Sequence, residues 1–263
     1  MLEILNLNNP LYIFLTLLFI IIRVSAVVAF APVFSQSSIP AQVKIAFIVL
    51  FSVALYPAVK DYISIEKLTV FGLAAVVMKE VLLGAALGFT VHFLWAGLEL
   101  GAQLLGFMMG FSIANVLSPE ENVQISILSE FESIVAILVF LAIDGHHIFI
   151  KAIADSFKIM PVGGFILNQN MFDMLNRLVA LMFGVSFRIL APAIIALIIT
   201  NIVFGIIART MPQVNILIVA FPLSIGIGLF VIGASLQYSV FVLIKYYDNV
   251  LSSVYAILRL GHG

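Results

Sequence analysis

The chain has 263 residues, with 12 Lys and Arg against 13 Asp and Glu and a formal net charge of -1. Hydrophobic residues make up 63% and charged residues 10% of it, where an ordinary soluble domain carries ~25% charged residues, and the mean hydropathy is +1.25. So few polar groups cannot cover a soluble monomeric enzyme, so much apolar surface excludes a disordered chain, and the near-neutral charge argues against nucleic acid as a partner.

Taken in chain order, the apolar runs predict helices of membrane length, since a bilayer core of ~30 Å needs ~20 apolar residues. Ile4 to Ile22 is free of charge, and so is Val24 to Val43 after Arg23. The opening segment has Glu3 as its only early charge and no small-residue cleavage site directly after the run, so it reads as a retained helix. Ser35 to Pro40 reads as a turn. Ile45 to Val59 follows, then a polar connection over Lys60 to Lys67. Val81 to Leu98 and Leu100 to Pro119 flank Glu99, and Ser118 to Glu132 is a second polar connection. Ser133 to Ile143 precedes Asp144, and Ile189 to Ala208 follows Arg188. Thr210 to Ile244 is the longest charge-free run, with 35 residues. Arg209 to Gln213 predicts a hairpin turn around Pro212, and Tyr246 to Leu260 an amphipathic helix with Asp248 and Arg259 towards water. Lipid offers no partners to backbone groups, so these runs demand helices, and period-two alternation is absent. The expectation is an all-α integral membrane protein of kinked and broken helical hairpins.

Three features suggest that the spans face protein. Charged or polar residues interrupt or adjoin them: either some lie at span ends and snorkel, or the segments face protein, in which case Arg23, Lys79, Glu80, Glu99, Gln103, Asp144 and Arg188 are expected to be buried and partnered. Gly84 with Gly88, Gly97 with Gly101, and Gly106 with Gly110 are pairs four apart, a spacing that lets helix backbones approach closely. At 100° per residue Gly97 and Gly101 fall on the side away from the other four, so the helix is expected to pack on two sides. Pro192 frees the Arg188 carbonyl and Pro222 that of Ile218, so both, with Pro212, are expected to break helices.

Catalytic chemistry finds little support. Asp144-Gly145-His146-His147 offers a carboxylate and two imidazoles, the right ligand types for zinc. Adjacent histidines point about 100° apart on a helix, and no second ligand cluster accompanies them, so the reading is a polar span terminus. With no cysteine, disulfide frameworks and thiolate sites are excluded. No serine nucleophile elbow, phosphate loop or His-Glu-x-x-His pattern is present. No catalytic residue, metal or other cofactor is expected. Broken helices with intramembrane charges also suit a small-solute transporter, although no repeat or paired charged path is evident. The segment Gly106, Phe107, Met108, Met109, Gly110, Phe111, Ser112, Ile113, Ala114, Asn115, ending at Pro119, reads either as ordinary helix packing or as a deformable apolar gate.

The residues named so far resemble a known family in order and spacing. The pieces are Arg23, Ala31-Pro32-Val33-Phe34-Ser35, Ile39-Pro40, Lys79-Glu80, Gly84, Leu87-Gly88-Phe89, Glu99, Gly101, Gln103, Gly106, Gly110 and Pro119. Asp144-Gly145-His146-His147, Ser156, Pro161-Val162-Gly163, Ala191-Pro192 and Met211-Pro212-Gln213-Val214-Asn215 follow. Together they resemble the flagellar biosynthesis protein FliR family, the R subunits of the type III secretion export gate. One departure is Asn115 to Pro119, where many relatives carry an acidic residue before the proline.

The resemblance implies a P-subunit-like part over residues 1–170 and a Q-subunit-like hairpin with the C-terminal helix over 171–263. It implies a bacterial inner-membrane protein of the flagellar basal body. Its expected partners are P and Q subunits, the specificity-switch protein, a large nonameric export component, unfolded flagellar substrates and membrane lipid. It assigns the Gly106 to Pro119 segment to a plug that seals a narrow channel. The injectisome R subunits are the nearest alternative.

Overall fold

The computed structural model describes residues 10–31, 39–63, 70–111, 127–213 and 215–261. Among these the regular structure is entirely helical. The helices are α1 (Pro10–Phe30), α2 (Ala41–Val59), α3 (Val70–Met109), α4 (Ile127–Ala142), α5 (Gly145–Ile159), α6 (Gln169–Thr210) and α7 (Ile216–Leu260), with a 3₁₀ turn at Lys60–Tyr62 after α2. Five helices are long and apolar enough to cross a membrane, and α4 with α5 makes a further pair bent by 70°. Helices α3, α6 and α7 have 40, 42 and 45 residues. At 1.5 Å per residue each is ~60 Å long, about twice a hydrocarbon core.

Several expectations are corrected. Pro192 and Pro222 lie inside α6 and α7, which run on unbroken. Proline's fixed φ suits a helix and its ring removes one backbone bond. Buried Ile189, Leu190, Ala193 and Leu197 hold α6 on both sides of Pro192. Pro212 does sit in the expected turn, between Thr210 and Ile216. The segment Tyr246 to Leu260 is no separate helix but the last turns of α7. It is amphipathic as expected: Val250, Leu251, Val254, Ile257 and Leu258 are buried, with Asp248 and Arg259 exposed. Helix α1 runs through Arg23, and α4 takes in the end of the Ser118 to Glu132 connection. Helix α5 has no counterpart in the sequence reading. Its buried Phe149, Ala152, Ile153, Ser156 and Phe157 carry the helical period.

The chain forms two compact units. The first comprises residues 1–93, 144–179 and 248–263, and the second 94–143 and 180–247. Helices α3, α6 and α7 therefore contribute to both. The expected division near Asn170 concerns likeness to P and Q subunits, and each packing unit draws residues from both sides of it.

In the first unit, the Tyr12 hydroxyl donates to the Ile63 carbonyl at 2.7 Å. The Asn168 amide donates to the Leu260 carbonyl at 2.7 Å, and Ile166 N–H to Gly261 at 3.1 Å. In the second, Trp95, Phe140 and Tyr247 form an aromatic cluster with centroids 5.2 to 6.3 Å apart. Their polar tips are satisfied, as buried aromatics require: Trp95 Nε1 donates to Ser133 Oγ at 3.0 Å and the Tyr247 hydroxyl to the Ala136 carbonyl at 2.9 Å. The Tyr246 hydroxyl donates to the Leu181 carbonyl.

Candidate functional site: a buried ion pair and a capped helix end

The first unit is organised around Arg23 and Glu80, both wholly buried. Arg23 Nε donates to Glu80 Oε2 at 2.6 Å and Nη2 to Oε1 at 3.1 Å, a bidentate pair. Nη1 donates to Ser156 Oγ at 3.1 Å and Nη2 to the Met160 carbonyl at 3.2 Å. The guanidinium also lies 4.0 Å from the Phe157 ring centroid. Glu80 Oε1 accepts from Gly163 N–H at 2.9 Å, and Lys79 Nζ donates to the Gly163 carbonyl at 3.0 Å. Four stretches of chain thus meet at one charge pair: α1, α3, α5 and the turn after α5.

Glycine permits that approach. Glu80, Gly84 and Gly88 recur every four residues on one face of α3. A Cβ on Gly84 would lie 2.6 Å from Ala26 Cβ and 2.8 Å from the Arg23 carbonyl oxygen, and one on Gly88 2.7 Å from Phe30 Cβ. In the second unit a Cβ on Gly97 would lie 2.7 Å from the Met182 carbonyl oxygen, and one on Gly101 2.6 Å from Leu190 Cδ1. The expected packing on two faces of α3 is therefore present.

Gly106 and Gly110 behave differently from a packing pair. Phe111 N–H donates to the Gly106 carbonyl at 3.0 Å, and Gly110 N–H to Phe107 at 3.1 Å. Gly110 has φ +90°. This is the Schellman arrangement, in which a left-handed glycine closes a helix and satisfies its last carbonyls. Gly106 is a helical residue and Gly110 a helix stop. The Phe221 ring lies where a Gly110 Cβ would project, and buried Met109 fills the notch at Gly228, its Sδ 2.8 Å from where a Cβ would stand. Phe107 points outward, while Met108 and Phe111 are half-buried. Ser112, Ile113, Ala114, Asn115 and Pro119 lie outside the described residues.

The expected burial holds for Arg23 and Glu80, and Lys79 is half-buried. It fails within this chain for Glu99, Gln103, Asp144 and Arg188, all exposed. Glu99 and Gln103 share an outward strip of α3, where Gln103 Nε2 lies 3.5 Å from Glu99 Oε1, while neighbouring Leu98, Ala102 and Leu105 take the inward positions. Arg188 makes no hydrogen bond or ion pair among the described residues.

Asp144 precedes α5 with φ 55°, and its Oδ1 lies 3.2 Å from His147 Nδ1, both side chains over 70% exposed. Asp144, His146 and His147 offer ligand atoms within 4.8 Å of one another. The two rings are 4.2 Å apart, closer than their sequence adjacency suggested. Ser156, Met160, Gly163 and Phe221 complete these clusters without having been assigned such roles from sequence, whereas Gly228, in its apolar run, reads as a helix-packing glycine. Gly163 stands in a Pro-Val-Gly-Gly turn and Gly228 in an apolar run, the signals that mark a tight turn and a helix contact.

Residues 14–250 match the family described as "Bacterial export proteins, family 1". A flagellar biosynthetic protein FliR from Escherichia coli (strain K12) is 30% identical over 216 residues, covering 81% of each chain. The Bacillus subtilis (strain 168) protein of that name is 29% identical over 224 residues, 84% of this chain and 86% of the relative. The Aquifex aeolicus (strain VF5) one is 31% identical over 163 residues, 60% and 61% of the two chains. The chain belongs to the FliR family of bacterial export proteins.

Proposed function

We propose that this chain is the R subunit of a flagellar type III export gate. It shapes a narrow channel with P and Q subunits and helps to seal it until unfolded flagellar substrates pass. The observation that carries the reading is the family match across nearly the whole chain, joined to an apolar, capped helix end where the resemblance expects the seal. In this reading residues 1–170 take the P-like role and 171–263 the Q-like role. The switch protein, the nonameric export component and the inner membrane of the flagellar basal body complete its setting.

The role is passive and breaks no covalent bond. Phe107, Met108, Met109 and Phe111 supply deformable apolar bulk that excludes water and ions, and the segment onward to Pro119 extends it. The Schellman stop fixes where α3 ends and the segment begins. Deleting Phe111 to Val116 is expected to raise ion leak across the membrane while export of rod and hook subunits continues. Conductance at the parental level would remove the plug from this reading. Co-purification tests the rest: a gate subunit is recovered with two apolar partner chains, a small-solute transporter as a single species that binds a solute.

A further inference from the structure

Eight glycines of the second unit fall into two sets. Those at Gly97, Gly101, Gly110 and Gly228 are notches filled by this chain's own side chains or backbone. At Gly184, Gly205, Gly226 and Gly233 nothing lies within 4 Å of an added Cβ. Two of the open notches, Gly184 and Gly205, lie on α6, 21 residues apart, three heptads.

The positions between them complete a heptad stripe. Leu181, Arg188, Ile195 and Ile202 are spaced by seven and all exposed. Gly184, Ala191, Ile198 and Gly205 form the second line, exposed except for half-buried Ala191. A seven-residue repeat of this kind is the seam that one helix presents to another. Lipid chains impose no such period and draw no benefit from an open notch. At 1.5 Å per residue the stripe is ~36 Å long.

Arg188 sits in the seam as its single charge. It is 19 residues from the start of α6 and 22 from its end (Gln169–Thr210), ~28 Å and ~33 Å along the axis, far beyond its own reach to either terminus. A guanidinium on an apolar face, with Tyr246 nearby but no hydrogen bond or ion pair among the described residues, calls for a fixed anion, and its planar fork matches a carboxylate.

We propose that this stripe of α6 receives one helix of a partner subunit, with large side chains that enter the Gly184 and Gly205 notches and an Asp or Glu opposite Arg188. The proposal rests on the reading of the chain as a gate subunit, and it names the chemistry of one of its contacts.

The test uses the full chain co-expressed with the P and Q subunits of its own organism. Arg188→Lys keeps the charge and supplies an amine. Dicyclohexylcarbodiimide activates a nearby carboxyl, the amine displaces it to give an amide, and the carbodiimide leaves as its urea. Mass spectrometry is expected to find that amide joining position 188 to an Asp or Glu of a different chain. Arg188→Glu and Gly184→Leu are each expected to lower recovery of partner chains at least tenfold, with the helical content of the purified chain unchanged. An intact complex without the amide overturns the carboxylate, and full recovery with both variants overturns the surface. Loss of co-purified anionic phospholipid in Arg188→Leu, with every partner retained, assigns the face to lipid and also overturns it. In those cases the gate reading stands. If the wild-type chain brings down neither P nor Q, both fall together.

Discussion

The two packing units handle polarity in opposite ways. In the first, Arg23, Glu80 and Lys79 find partners inside the chain, and Gly84 and Gly88 are filled by α1. In the second, among the described residues, Glu99 bonds only with Gln103, Arg188 has no hydrogen bond or ion pair, and four glycine notches stand open. A charge satisfied internally is a fixture of the fold. A charge left bare on an apolar helix marks a place where something else completes the structure. The same residue types thus carry different meanings, and burial tells them apart.

That contrast can be broken most forcefully at Arg23. Removing one partner of a buried pair leaves the other charge uncompensated, at a cost of about 3–5 kcal/mol. Glu80→Leu or Arg23→Leu is expected to abolish accumulation of folded protein, followed by protease resistance in membranes. The double variant Arg23→Met with Glu80→Leu removes both charges and should recover much of the loss. If the single variants are as stable as the parent, the pair is no fixture.

Glycine substitutions sharpen the contrast at the next level. Gly84→Ala places a Cβ against the α1 backbone and is expected to cost about 1–3 kcal/mol, read as a lowered thermal midpoint. Gly205→Ala meets open space in a helix, where alanine gains about 0.5–1 kcal/mol over glycine. In the purified chain it should be neutral or stabilising. Gly110→Ala forces a side chain into the left-handed region and towards Phe221, with an expected loss of at least about 1–2 kcal/mol. Among the destabilising changes the smallest loss belongs to Tyr247→Phe, which deletes the hydrogen bond to Ala136 at about 0.5–1.5 kcal/mol. A thermal shift by calorimetry on the detergent-solubilised chain measures each.

Much of the fold was legible because its signals are local. Apolar runs, the Pro212 turn and the two-sided glycine spacing on α3 are properties of contiguous sequence. The partner of Arg23 was not, since Glu80 is 57 residues away and Ser156 is 133 away, and only tertiary packing chooses among the carboxylates. Pro192 and Pro222 misled because a long, well-packed helix absorbs one missing hydrogen bond. Glu99 and Arg188 lie exposed on their own chain for another reason: hydropathy reports that a segment is apolar, and it is silent on whether its own chain covers a given face. At the helix end, the pair Gly106 and Gly110 matched a packing spacing by coincidence, and the left-handed φ of Gly110 assigned it to termination.

Helix α3 is gripped twice along its length, by α1 at Glu80, Gly84 and Gly88 and by α6 at Gly97 and Gly101. The glycine pairs at these grips use faces of the helix that point roughly 140° apart at 100° per residue. Within the first unit, a turn of α3 about its axis by a single residue would part the Arg23–Glu80 pair and drive side chains into the α1 backbone. Charge and steric fit thus set the azimuth of this stretch of α3 together. In the second unit the Met182 carbonyl oxygen does the same at Gly97, so each unit holds its own length of the helix in register.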